Sequence, residues 1–474
     1  MKRHIIGRKR ESQQLAEIMS REQSVFLAVY GRRRVGKTFL LKEYFSQDFA
    51  FHLVGLANAT MEQQLFNFHA TLSRHGAEGL AVPDHWLMAF QQLMTYIESL
   101  EPGGKKVIFF DEMPWMDTAK SDFMTGLEHF WNGWANNRND ILLIACGSAA
   151  SWMINELINN TGGLHNRVTD RIKLHPFDLE ETKLFLESKG AKYNHMQIVQ
   201  LYMTMGGIPY YLDAVRPELS AHQNIEALFF HKGALLQAEF PLIFKSLFKK
   251  SDTHSSIVNA LATKVSGLTR KEILSQSQLK SGGTFSRALS ELEESGFITS
   301  YEPLYKKVQQ TTYRLSDFYT LFYYRFVKDN RNYGEGVWMS MLDHPSQRAW
   351  SGYAYEQVCM SHLPQIKKAM GISGIQTSSA SWIGTDGTDS AQIDLLIDRR
   401  DETISIIEIK YSVGEYAITK DYAAKLRRKV TVFKAATRTK KAVSVCMITT
   451  YGLRDNEHSG SLVQQSLDME MLFV

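Results

Sequence analysis

Apolar residues along this chain fall into two rhythms. In the front third, "VFLAVY", "VIFF" and "ILLIAC" are unbroken apolar runs of strand length, the pattern of strands buried on both faces in a parallel sheet. The first run leads into a glycine loop and then "KTFLLKEYF", an amphipathic helix. Further on, "THSSIVNALATK", "LTRKEILSQS" and "TFSRALSELEESGFI" repeat at helical spacing, with Thr269 and Glu272 as a capping box and Gly296 as a stop. "FITSYEP" and "TTYRLSD" then predict two short strands. Near the end, "QIDLLID" and "TISIIEIKYS" predict an antiparallel hairpin around "RRDET", with "AVSVCMITTYGL" as another strand of the same sheet.

At 474 residues the chain exceeds one ordinary core and predicts about three domains. Its composition, 44% hydrophobic and 22% charged, is that of a soluble globular protein. No apolar run is long enough to cross a bilayer, and no signal-sized run follows the basic N-terminus, so a membrane partner is not expected. Cys146, Cys359 and Cys446 are scattered and give neither a disulfide framework nor a metal-ligand spacing, which points to a reducing cytoplasm. A net charge of +4 is too small to name a partner, so local clustering must do so.

Candidate chemistry begins at the first glycine loop. Gly31 to Thr38 read G-x-x-x-x-G-K-T between a strand and a helix, the context a phosphate cradle needs. Gly31 and Gly36 let backbone N–H groups curl around phosphates, Lys37 reaches the outer phosphates, and Thr38 offers a hydroxyl to Mg²⁺. The expected cofactors are ATP and Mg²⁺. Asp111 and Glu112 end the second apolar run, at the strand end where α/β sheets bind ligands. Asp111 suits the Mg²⁺ shell and Glu112 suits orienting or deprotonating the attacking water. Ser148 ends the third run, either as a γ-phosphate sensor or as an ordinary strand-to-helix turn.

With "IIGRKRESQQL", "GRRRVGKT", "FFDEMPWM" and "CGSAASWM" in place, the chain resembles the archaeal-type ATPases of the AAA+/STAND division. The resemblance implies an α/β fold: a P-loop, AAA+-like parallel sheet over 1–175 with a helical lid over 176–250, the latter carrying "MGGIPYYL". It also implies that Ile6 to Arg8 pack near the adenine. In "TGGLHNRVTDRIKLHPFDLEE" it implies an arginine acting on the γ-phosphate, Arg167 first and Arg171 second, against the alternative of plain surface arginines.

The three helices and two strands over 251–330 have the outline of a winged helix-turn-helix. Its third helix carries Arg287 against Glu291, Glu293 and Glu294, which favours a spacer over a DNA reader. The remaining stretch, 331–474, holds the charged hairpin. If its turn is centred on Asp401, Asp394 lies across from Glu408, and Glu408 and Lys410 share a face. Facing acids repel, and a divalent cation between them would compensate. This D…E-x-K arrangement resembles the PD-(D/E)XK, restriction-endonuclease-like α/β fold, although Ile393 stands where the family motif has proline. That resemblance implies Asp394 and Glu408 as metal ligands and catalytic acids, Lys410 as the catalytic lysine, and Glu356 as a further metal-binding acid. Residues 425–441 hold eight basic residues and no acid, open to phosphate contact or to plain solvation.

Together these features predict a Mg-dependent ATPase coupled to a nuclease or nuclease-like domain, with nucleic acid as partner, DNA ahead of RNA, and a homo-oligomer on ATP binding. The alternative is a STAND-type signalling and assembly switch with a catalytically silent tail. A motor acting on protein ranks last, because Trp86 and Phe90 do not lie in a convincing pore loop.

Overall fold

The three apolar runs of the front third become β1 (Val25–Tyr30), β3 (Lys106–Asp111) and β4 (Ile141–Gly147), and two strands that the runs do not reveal, β2 (Phe51–Val54) and β5 (Asp170–Lys173), complete a sheet of five parallel strands. Their order in the sheet is β2-β3-β4-β1-β5. The computed structural model describes residues 5–248, 251–302, 311–330 and 334–474. One compact unit runs to Pro176 and a second begins at Phe177. In the first, helices such as Trp86–Ser99 and Phe123–Gly133 cover the sheet and bury a core rich in aromatic rings, including Phe26, Phe51, Phe90, Phe110 and Trp131. Full burial of such side chains contributes about 1.5–3 kcal/mol each. Trp86 and Phe90 are part of this core, on a helix and wholly buried, so neither can serve as a pore-loop aromatic.

The second unit opens with helices Leu179–Ser188, His195–Met205, Pro209–Asp213, Ala221–Phe229 and Leu235–Leu247. Capping boxes start three of them, at Asp178, Asn194 and Ser220, each satisfying backbone donors that the first turn leaves unpaired. Helices Ser251–Ala262, Arg270–Ser277 and Gly283–Glu294 follow. They accompany a three-stranded antiparallel sheet, in the order β6-β8-β7, built from β6 (Leu268–Thr269), β7 (Ile298–Tyr301) and β8 (Thr312–Leu315). The connection 303–310, where the tip of a wing is expected, lies outside the described residues.

The tail forms a mixed sheet of β9 (Thr377–Thr385), β10 (Ser390–Arg399), β11 (Thr403–Lys410), β12 (Ala442–Thr449) and β13 (Gln465–Leu467), in the order β13-β12-β11-β10-β9. β9, β10 and β11 run antiparallel to their neighbours in the meander, whereas β11, β12 and β13 are parallel. The crossover between β11 and β12 is the helix Lys420–Thr437, whose Val432 and Phe433 pack on Ile393, Leu396, Ile404 and Ile406. A second helix, Pro345–Ser361, supplies Glu356.

Candidate active sites

The first site lies at the carboxyl end of the parallel sheet. Strand pairing sets Tyr30 beside Gly147, so the glycine loop that follows β1 and the turn at Ser148 emerge side by side. Gly31 has φ +143°, and a Cβ there would stand 2.2 Å from the Leu174 carbonyl oxygen, so only glycine lets the loop turn this close to the chain after β5. Gly36 ends the loop in a left-handed conformation, and the helix Lys37–Tyr44 starts on it. The Lys37 ammonium folds back over the loop and donates to the carbonyls of Gly31 and Arg32, both at 3.0 Å. Thr38 Oγ1 donates to Asp111 Oδ1 at 3.0 Å. Burial raises the Asp111 pKa, with Glu112 adding to the effect, while the Thr38 hydroxyl and the Cys146 thiol oppose it.

Glu112 sits in a left-handed backbone conformation, φ 49° and ψ 43°, which is strained for a residue with a Cβ. Its peptide is clamped from both sides. The Glu112 N–H donates to Asp111 Oδ1, and its carbonyl oxygen accepts from Trp115 N–H at 3.1 Å and would stand only 2.5 Å from a Cβ on Gly55. The carboxylate accepts from Ser148 Oγ at 2.9 Å and from Ser148 N–H at 3.3 Å. Ser148 therefore meets the acid at β3 directly, a pairing that the spacing of the two runs does not reveal. Arg8 is buried and donates to the Val35 carbonyl inside the glycine loop at 3.0 Å, which joins the segment around Ile6 to the cradle. Arg167 and Arg171 are both exposed, Arg167 in the turn before β5 and Arg171 on β5 beside Ala28.

Residues 6–215 match the family described as an ATPase domain predominantly from Archaea. This segment is similar to archaeal-type ATPase domains. Over 367 residues the chain is 23% identical to an uncharacterized protein of Methanocaldococcus jannaschii, covering 77% of this chain and 78% of the relative. Among solved structures it is similar to a Walker-type ATPase of Pyrococcus abyssi, at 18% identity and a TM-score of 0.47, over 68% of this chain and 96% of that one. It is also similar to the ORC2 protein of Aeropyrum pernix, at 14% identity and a TM-score of 0.41, over 72% of this chain and 97% of that one. The matched segment carries its P-loop on an α/β parallel sheet, as the match to an ATPase domain leads one to expect.

The second site lies in the tail. β10 and β11 pair Leu395 with Ile407, and the same register carries Asp394 level with Glu408. A bulge between Ile393 and Leu396 interrupts the β9 side of β10 at this point, which re-aims the residues it contains. Asp394 Oδ2 accepts from Ile409 N–H at 3.0 Å. Glu408 is completely buried, and both its oxygens are taken by the Lys429 ammonium, at 2.6 and 2.7 Å. The Tyr422 hydroxyl donates to Glu408 Oε2 at 3.0 Å. Lys410 Nζ lies 3.6 Å from Asp394 Oδ2 and 3.7 Å from Glu408 Oε2, between the two acids.

Burial and the neighbouring Asp394 raise the Glu408 pKa, opposed by Lys429 and Lys410. Burial works against the Lys410 ammonium, yet Asp394, Glu408 and Glu356 together raise its pKa. Glu356 is pushed up to about 7 by burial, with Asp394 and Glu408 adding and Lys410 and Arg314 opposing. Among the described residues no group of three or more His, Cys, Asp or Glu side chains is arranged to hold a metal ion. The donor set is therefore a poor fit for the divalent cation expected between Asp394, Glu408 and Glu356. Both Glu408 oxygens and Asp394 Oδ2 are hydrogen-bonded to ammonium, hydroxyl and peptide groups.

Lys429, Tyr422 and Arg314 are the members of this cluster that sequence reasoning missed. A signal existed for two of them. Tyr422, Leu426, Lys429 and Phe433 recur at steps of four, three and four, the spacing of one helix face, and Leu426 and Phe433 are core residues. Within 425–441, Lys429 thus turns inward and Lys441 pairs with Asp398 at 2.9 Å. Lys425, Arg427, Arg428, Lys434, Arg438 and Lys440 remain exposed.

Proposed function

We propose that this chain is a Mg²⁺-dependent ATPase that drives a DNA-associated process, and that the tail is a nuclease-like module which binds without cutting. The observation that carries the ATPase half is the convergence of Lys37, Thr38–Asp111 and Glu112–Ser148 at adjoining strand ends. Thr38 and Asp111 would hold the cation, which supplies charge neutralisation across the phosphates. Lys37 would leave the loop carbonyls for the outer phosphates. Glu112 would orient the attacking water once Ser148 releases its carboxylate, and Ser148 would then be free to meet the γ-phosphate. Arg167, exposed before β5, would act on that phosphate from a neighbouring copy in an ATP-assembled oligomer.

The winged-helix outline over 251–330 is read as a spacer between neighbouring elements. Glu291 pairs with His254 at 2.7 Å and Glu293 accepts from Ser300 N–H at 2.9 Å, so two of the acids set against Arg287 are engaged within the module. The exposed lysines and arginines of the helix Lys420–Thr437 and the turn after it supply phosphate contacts beside the tail site.

Phosphate release from ATP, measured with the purified chain, tests this reading. Lys37→Ala should lose nucleotide binding, and Glu112→Gln should bind ATP while hydrolysing it at least 100-fold more slowly, roughly the loss of a general base. Equal turnover in Glu112→Gln and the unaltered protein would refute the assigned role. The second reading, a STAND-type switch, shares the silent tail that the pairing of Glu408 with Lys429 supports and differs in having ATP drive assembly in place of a DNA-associated process. Mg²⁺-dependent cleavage of DNA that disappears in Asp394→Ala and Glu408→Ala would instead restore Asp394, Glu408, Lys410 and Glu356 as a cutting centre.

A further inference from the structure

We propose that the tail sheet carries its own cation: the Lys410 and Lys429 ammonium groups stand where a divalent metal would sit, and Lys429 is the group that keeps a metal from the Asp394–Glu408 pair. This inference rests on reading the tail's acids as a nuclease-like arrangement, and is independent of the ATPase half.

The geometry is that of a filled site. Magnesium requires carboxylate oxygens at about 2.0–2.1 Å with lone pairs open to it. Glu408 has little to spare: Lys429 engages both oxygens at 2.6 and 2.7 Å and Tyr422 adds a hydrogen bond to Oε2 at 3.0 Å, which leaves about one of its four acceptor sites open. Lys410, nearly equidistant from Asp394 and Glu408, occupies the bridging position between them. Charge closes the same way. Two carboxylates face two ammonium groups, and Arg314, on β8, faces Glu356 from the neighbouring module. Arg314 is itself fixed, by a 2.6 Å hydrogen bond to Ser381 Oγ on β9 and by stacking over Tyr301 at 4.6 Å. A dication entering this cluster would add two positive charges to one already balanced. Lys410, which donates to the Ile409 carbonyl at 3.0 Å, and Lys429 are 26% and 22% exposed, so both ammonium groups can be reached by an anionic ligand. The ligand class this suits is the phosphodiester of a nucleic acid, met by ammonium groups with no metal-activated water to attack it.

Mn²⁺ binding to the nucleotide-free full chain, followed by electron paramagnetic resonance and calorimetry, tests the inference. The unaltered protein should show no Mn²⁺ site that Asp394→Asn removes. Lys429→Gln, which keeps a donor but not the charge, should gain one such site, binding at least tenfold tighter than anything in the unaltered protein. That site should vanish in the Asp394→Asn/Lys429→Gln pair and stay absent in Lys429→Arg. An Asp394-dependent Mn²⁺ site in the unaltered protein overturns the inference while leaving the nuclease-like reading intact. A failure of Lys429→Gln to gain metal also overturns it, because the ammonium would then not be what fills the position. Should that variant not fold, the comparison of the unaltered protein with Asp394→Asn decides alone.

Discussion

Glu408 shows how one residue can be expensive and still belong where it is. A carboxylate taken fully out of water costs several kcal/mol unless it is paired and hydrogen-bonded, and Glu408 has an ammonium on both oxygens and a phenol besides. Lys429→Met removes the partner and strands the charge. It should lower stability by about 3–5 kcal/mol, the range seen when one member of a buried pair is deleted. Glu408→Gln/Lys429→Met removes both charges and should recover most of that loss, measured by urea denaturation of each variant. The acids of this site were legible from the sequence because they interrupt an apolar hairpin, and the turn centred on Asp401 fixes their register. The compensating cation was not. Lys429 lies 21 residues from Glu408, on the crossover helix, and reads as one more charge in a basic run until the helical phase is counted. Glu112 illustrates the same boundary: its place at a strand end is legible, but its contact with Ser148 exists only because β3 and β4 are neighbours.

At the scale of elements, buried strands were the most legible part of the chain, since an unbroken apolar run has few other uses. The strand β2 is less plain, because His52 breaks it. The ring finds its place by stacking on Phe109 of β3, with centroids 4.7 Å apart and planes within 7°. Burial lowers the His52 pKa to about 4, and Lys42 and His75 push in the same direction. A histidine depressed from its usual 6.5 favours the folded state while neutral. Its contribution is complete above pH 6.5 and is lost as pH falls from there towards 4. The melting temperature of the first unit should therefore drop across that window. In His52→Phe, which keeps the stack, the drop should be smaller, and scanning calorimetry at a series of pH values measures the difference.

For the molecule as a whole, the chain divides into a unit ending at Pro176 that carries the P-loop and a longer unit that gathers the helices from Leu179 to Leu247, the small three-stranded module and the tail sheet. Composition and length could suggest several domains but not this grouping, because the packing that joins the later segments is between residues far apart in sequence. Leu179 N–H, for example, donates to His362 Nε2 at 3.0 Å, 183 residues away. Nucleotide binding should stabilise the first unit by mass action, about 2.7 kcal/mol at a hundredfold excess over Kd. Hydrogen exchange in ATP should slow in the glycine loop and the helix Lys37–Tyr44, and Lys37→Ala should abolish that protection.

The three cysteines add a practical consequence. Cys146 lies beside Asp111 in the first unit, while Cys359 and Cys446 lie in the second, and all three are buried. Burial lifts each thiol above its ordinary pKa, Cys446 to about 12, so the reactive thiolate is suppressed in the closed fold. An alkylating reagent mixed with the native protein would mark a cysteine only when its own unit opens. The chain thus carries a chemical clock for each half of itself, with no label to be introduced.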